Sequence, residues 1–193
     1  MFIPMPRLLT VLSLLVCAAL PLRADDVSDV LQAAVDAYAA GDLGKTAASL
    51  TLATQALGAQ QGDLLAALLP PAPDGWTRTL TEDFSQGFGF MGGGSGAEAR
   101  YDKADGSVSF TLSFVADNPM VGAMGGMLGN AQMMAMMGKV EMVGDQPVLD
   151  ADGSLSALVG ARVLFQAQGA EVADMLPLVQ AIDFAKLGAF DQK

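Results

Sequence analysis

Three prolines in four positions divide this chain. In Leu69-Pro70-Pro71-Ala72-Pro73-Asp74-Gly75-Trp76 each proline lacks an amide N–H and has a fixed φ. No helix runs through such a run, and the segment reads as a stiff, extended connection. The residues on its two sides therefore form separate structural units. Trp76, the only tryptophan, sits where it would plug the joint between them. The division is a helical hairpin over 25–69, a Pro-rich linker over 70–76 and a domain over 77–193.

Residues 1–24 carry a different signal. Arg7 precedes a near-continuous apolar run from Leu8 to Leu20, and Leu22-Arg23-Ala24 offers a small residue at a cut ahead of Asp25-Asp26. This is the pattern of a secretory signal peptide, so a periplasmic location is expected. Cys17 is the only cysteine and lies inside the apolar run; Val16 before it does not suit a lipobox. From Asp25 onward there is neither cysteine nor histidine. A disulfide framework, a Ser-His-Asp triad and a His- or Cys-based metal site are thereby excluded. Without Arg7 and Arg23, 8 basic residues face 21 acidic ones, a formal charge of −13. Such a surface repels nucleic acid and anionic lipid.

Before the prolines, Val30, Leu31, Ala34, Val35 and Tyr38 recur at helical spacing, Gly41-Asp42 interrupts, and Leu50, Ala53 and Leu57 continue. The run Ala37-Tyr38-Ala39-Ala40-Gly41-Asp42-Leu43, with Thr46, Leu50 and Ala53, resembles the hairpin of one tetratricopeptide repeat. No second copy follows, although such arrays ordinarily need about three units.

After the prolines the reading is α+β, an antiparallel sheet covered by helices. Thr77–Asp83 suits a strand. Ala97–Asp102 and Ser107–Ala116 alternate around an Asp105-Gly106 turn, with Val108, Phe110, Leu112 and Phe114 on one face. Val140–Val143 and Leu155–Gln168 read as further strands, with an Asp152-Gly153 turn before the second. Glu171–Leu187 reads as helix interrupted at Pro177, with Asp183 capping a last short helix. Phe84–Gly96 reads as a flexible, partly apolar glycine-rich loop.

Several motifs resemble chemistry without completing it. Gly87–Gly92 fits G-x-G-x-x-G but lacks the strand before and the helix after it. Gly93-Gly94-Ser95-Gly96-Ala97 is close to a nucleophile elbow, yet no histidine exists to serve it. Asp150–Gly153 lacks most positions of a calcium loop, and Arg100 beside Tyr101 offers one cation for an anionic ligand.

Eight of the 12 methionines fall between Met120 and Met142. Asn118-Pro119 is a strong helix start. On one continuous helix Met120, Met124, Met127 and Met134 line one face, opposite Gly122, Gly125, Gly126 and Gly129. The methionine face suits a core, or an adaptable surface for a protein or lipid-like ligand. With Phe88 and Phe90 of the glycine-rich loop it is the expected binding surface of a non-enzymatic binding or accessory protein that needs no cofactor. Two alternatives stand beside it. Met133, Met134, Met136 and Met137 are soft thioethers that suit Cu(I). Paired carboxylates such as Glu82-Asp83 suit a cell-wall hydrolase. Asn118–Gly138 is uncharged over 21 residues, but Asn130, Gln132 and its glycines make it a poor membrane span.

The Ala-Tyr-x-x-Gly-Asp hairpin, Leu69-Pro70-Pro71-x-Pro73-x-Gly75-Trp76 and an Arg-Tyr strand at Arg100-Tyr101 together resemble an uncharacterised family of exported proteobacterial proteins. That resemblance implies a single repeat-like helical hairpin followed by an α+β domain, and no activity.

Overall fold

The computed structural model describes residues 24–90 and 92–192, with side chains described from Val27 onward except those of Gly89 and Phe90. The expected signal peptide lies outside these residues apart from Ala24. The class is α+β: two N-terminal helices, then a seven-stranded antiparallel sheet with helices on both faces.

Helices α1 (Ala24–Ala39) and α2 (Leu43–Leu68) form the hairpin. Gly41, at φ +76°, turns the chain where the pattern broke. Asp42 then caps α2, its carboxylate accepting from the Lys45 amide at 2.9 Å. The buried positions are Val27, Ala34 and Ala37 on α1 and Ser49, Ala53, Gly62 and Leu65 on α2, the last two beneath the strap and the sheet. Small side chains let the two axes approach, so the bulkier Leu31, Val35 and Tyr38 of the expected apolar stripe are left exposed beside the contact.

The sheet comprises β1 (Trp76–Leu80), β2 (Ser95–Lys103), β3 (Ser109–Ala116), β4 (Lys139–Val143), β5 (Gln146–Ala151), β6 (Ser154–Val159) and β7 (Val163–Gln168). Its order is β1-β2-β3-β7-β6-β5-β4. The β2–β3 hairpin has the expected alternation: Phe110, Leu112 and Phe114 are buried, and Phe114 lies opposite Ala97 in the register. Leu155–Gln168 is two strands rather than one, because Gly160 and Ala161, both at positive φ, turn the chain back.

One face of the sheet carries the larger core. Tyr101, Phe114, Leu155 and Phe165 pack there with Leu65 and Leu69 from the end of α2 and with Met175 and Leu187 from α5 (Val172–Val179) and α6 (Phe184–Gly188). Pro177 lies inside α5 instead of ending it. The helix stops at Val179, and Asp183 caps α6 as its position suggested. The other face is covered over part of its width by α3 (Pro119–Leu128) and α4 (Ala131–Met137), through Val121, Leu128 and Met134 on Leu149 and Leu164.

The proline segment is pinned to the sheet. Tyr101 Oη donates to the Pro70 carbonyl at 2.6 Å, and Arg78 Nη1 donates to the carbonyls of Leu69 (2.8 Å) and Pro70 (3.2 Å). Trp76 meets Phe110 edge to face at 5.6 Å. Because Leu65 and Leu69 belong to the sheet's own apolar cluster, hairpin and sheet share one core across the prolines.

Candidate functional site

The methionine segment is two short helices, not one. Asn118 caps α3, accepting from the Met120 amide at 2.9 Å, with Pro119 in the first turn as its sequence position requires. Asn130 provides a second cap: its side-chain oxygen accepts from the amides of Gln132 (2.9 Å) and Met133 (3.3 Å), and α4 starts there. A fresh N-cap next to Gly129 resets the helix phase, so the expected single methionine face does not exist.

Its members part accordingly. Met134 is 1% exposed under Leu149 and Leu164, and Met124 is half-buried against the same cluster. Met120 and Met127 are exposed. On α4, Met133, Met136 and Met137 are exposed, Met136 by 84%. The next strand adds Met142, on the same side of β4 as Val140, which packs beneath these helices. The four residues considered for Cu(I) are thus divided: Met134 is core, while Met133, Met136 and Met137 lie within one exposed arc of α4. The glycines expected opposite the methionines divide as well. A β-carbon at Gly125 would sit 3.6 Å from Leu158, in ordinary contact with the sheet, whereas one at Gly122 or Gly126 would meet nothing.

The base under these methionines is firmly tied. Asn118 Nδ2 donates to the Gly93 carbonyl at 2.6 Å. Just before it, Asp117 forms an ion pair with Arg162, whose guanidinium also reaches Asp191 at 2.7 Å and lies 5.0 Å from the Phe190 ring. Those two carboxylates raise the Arg162 pKa. On β4, Lys139 pairs with Glu141, and that contact raises the lysine pKa.

The glycine-rich stretch is a strap rather than a lid. Phe84–Phe90 forms a 3-10 helix wedged between α2 and β2. Ser85 Oγ donates to the Gly58 carbonyl of α2 at 2.9 Å and accepts from the Gly96 amide of β2 at 3.2 Å. Phe88 is buried and meets Phe84 edge to face, which removes it from the binding surface; the side chain of Phe90 lies outside the described residues. Ser95 and Gly96, expected in the loop, open β2, and Ser95 is fully buried there rather than presented as a nucleophile. The glycines serve packing. A β-carbon on Gly96 would come within 3 Å of Phe88, Phe84 and the Phe114 carbonyl, and one on Gly62 within 3 Å of Ser85.

A shallow cleft of about 250 Å³ lies beside this strap, edged by Asp63, Glu82, Asp83 and Glu98. Two of its acids are engaged: Glu98 accepts from Thr81 Oγ1 at 3.0 Å, and Asp83 accepts from Gln86. Arg100, considered for an anionic ligand, instead holds Asp102 through Nε at 2.9 and 3.1 Å. No group of three or more His, Cys, Asp or Glu side chains suited to a metal occurs among the described residues. Among them, too, no helix is long and apolar enough to cross a membrane.

A second apolar surface lies on α2, where the sequence showed Leu50 and Leu57 at helical spacing but not that they form an exposed heptad with Leu43 and Leu64. Leu43, Leu50, Leu57 and Leu64 are all exposed, and they fall at intervals of seven along α2. The heptad spacing was the available signal; it was masked because the neighbouring alanines share the helix period. Comparison with protein-family models, with curated proteins and with solved structures finds no match to this chain.

Proposed function

We propose that this chain is a non-enzymatic binding or accessory protein of the periplasm, and that it docks an apolar segment of a partner protein on α3, α4 and β4. The observation that carries this reading is the exposure of Met120, Met127, Met133, Met136, Met137 and Met142 above a core-anchored base. Thioether side chains are flexible and polarizable, and such a surface adapts to partners of varied shape. Clustered exposed apolar side chains mark interaction sites on soluble proteins. The anchored base also limits the ordering cost of docking to the methionine side chains themselves.

A photo-crosslinker at Met136 in the native host is the test. The reading expects one reproducible protein adduct, absent when the same probe stands at Thr81 in the cleft beside the strap. Adducts that are equally frequent at both positions, or none at Met136, would remove it. A second reading, a Cu(I) carrier, draws support from the three thioethers of Met133, Met136 and Met137 in one exposed arc. It requires that the purified protein take Cu(I) from a competing chelator and that replacing the three by leucine abolish this. Unchanged copper uptake by that variant would end the copper reading.

A further inference from the structure

The hairpin presents an apolar face that is separate from the methionines. On α2 the leucines at 43, 50, 57 and 64 make a seven-residue repeat over three intervals, with exposures of 68, 48, 46 and 47%. Ala47 and Thr54, also exposed, lie between them. At 100° per residue this stripe is turned to one side of the Ser49–Ala53 contact with α1. The antiparallel α1 turns Leu31, Val35 and Tyr38 to the same side of its own contact stripe, so both helices contribute to one face. From Thr46 to Gly62 that helix carries no charged residue.

We infer that this face joins two copies of the chain, α2 packing antiparallel against α2 of a second copy about a two-fold axis near Thr54. Four observations fix the occupant. A heptad of leucines is the pattern a helix shows to another helix, each knob seated between residues of the facing one. Alternation of leucine with alanine and threonine supplies both ridges and hollows, so the stripe complements itself. The repeat is centred between Ala53 and Thr54, so an antiparallel copy brings Leu43 beside Leu64 and Leu50 beside Leu57. The four leucines together with Leu31, Val35 and Tyr38 of α1 leave on the order of 700 Å² of largely apolar surface exposed per copy, close to the roughly 800 Å² that each partner buries in a stable interface. An isologous contact of this kind closes on itself and stops at two copies. Antiparallel pairing also opposes the two helix dipoles. It sets the two sheets, each lodged against the C-terminal half of its own α2 through Leu65 and Leu69, at opposite ends of the pair.

Sedimentation equilibrium of the whole protein at about 10 μM tests this, a concentration at the weak end of the range that interfaces of this area span. The expected mass is twice that of one chain. Added salt should tighten the pair, because both copies are acidic and screening weakens their repulsion. The double variant Leu50→Glu, Leu57→Glu should sediment as one chain with an unchanged far-UV spectrum. In a Cys17→Ser background, Thr54→Cys should cross-link to itself through a short bismaleimide, whereas Leu43→Cys should not. This second measurement remains decisive should the glutamate variant unfold. A wild-type protein of single-chain mass, a glutamate variant that stays paired, or self-linking at position 43 without linking at 54 would each overturn the proposal. So would single-chain mass combined with capture of another protein through Thr54→Cys, which would give the face to a different partner.

Discussion

Replacing Tyr101 by phenylalanine isolates the hold of the sheet on the proline segment. The ring stays: it is fully buried and stacks on Phe110 at 5.4 Å with planes 19° apart, and phenylalanine preserves both. Only the 2.6 Å hydrogen bond to the Pro70 carbonyl is lost. That carbonyl keeps Arg78 Nη1 at 3.2 Å, so it is not orphaned. The cost is therefore the ordinary net value of about 1 kcal/mol, not the 1–3 kcal/mol of an unsatisfied buried acceptor. For a chain of this size that lowers the unfolding midpoint by about 2–4 °C. Removing Arg78 as well, as Arg78→Met, strips the carbonyl of both donors. The double variant should then lose more than the sum of the singles, by about 1 kcal/mol. The phenol adds a signature in alkali. Burial pushes the Tyr101 pKa from 10.0 up to about 12, so the folded state holds this proton more tightly than the unfolded chain. That contribution is complete below pH 10 and is lost as the pH rises toward about 12. Urea titrations across that range should show the fall in the wild type and a shallower one in Tyr101→Phe. Additive single variants, or identical alkaline profiles, would refute the argument that Pro70 is held jointly.

Packing and charge give two further expected outcomes. Gly62→Ala brings a β-carbon to 2.8 Å from Ser85 Oγ and 3.1 Å from the Gly96 carbonyl, so it should destabilise by about 1–3 kcal/mol despite the better helix propensity of alanine, while Gly44→Ala, with 3.6 Å to its nearest neighbour, should be neutral or stabilising in the same denaturation assay. Asp191→Asn should cost about 1 kcal/mol at neutral pH and flatten the acid limb of stability: the Arg162 hydrogen bond holds the Asp191 pKa below 3.8, so its stabilisation is present above that value and lost as the pH falls beneath it, and a variant with an unchanged acid profile would show the pair to be idle.

The sheet was legible where hydrophobicity alternated. Val108 to Phe114 announced their face and their turn because a half-buried strand has no other economical pattern. Leu155–Gln168 hid a turn, since both strands are apolar and Gly160-Ala161 lacks the Asp-Gly pair that marked the turns at Asp105 and Asp152, Ala161 taking the left-handed conformation. The break between α3 and α4 was hidden in a glycine-rich run where Asn130 reads equally as an ordinary polar residue. The methionine surface was half legible: composition located it, but which thioethers face water depended on a helix phase that Asn130 resets. The hairpin misled in the opposite sense. Its periodicity was correct, yet periodicity identifies an apolar stripe without saying what covers it, and here alanines make the contact while leucines protrude.

The strand order has a kinetic consequence. β1-β2-β3 and β4-β5-β6-β7 are each runs of neighbours consecutive in the chain, all joined by short turns except β1 and β2, which the strap connects, and a single junction, β3 with β7, unites them. Its nearest partners, Ala116 and Val163, lie 47 positions apart, whereas every other seam joins consecutive strands. Local hairpins close early and cheaply, and the entropy of the one long closure falls on that seam. The chain should thus mature as two preformed half-sheets whose docking is the slow event, with α3 and α4 acting as the tether that sets how far apart the halves can wander before they meet.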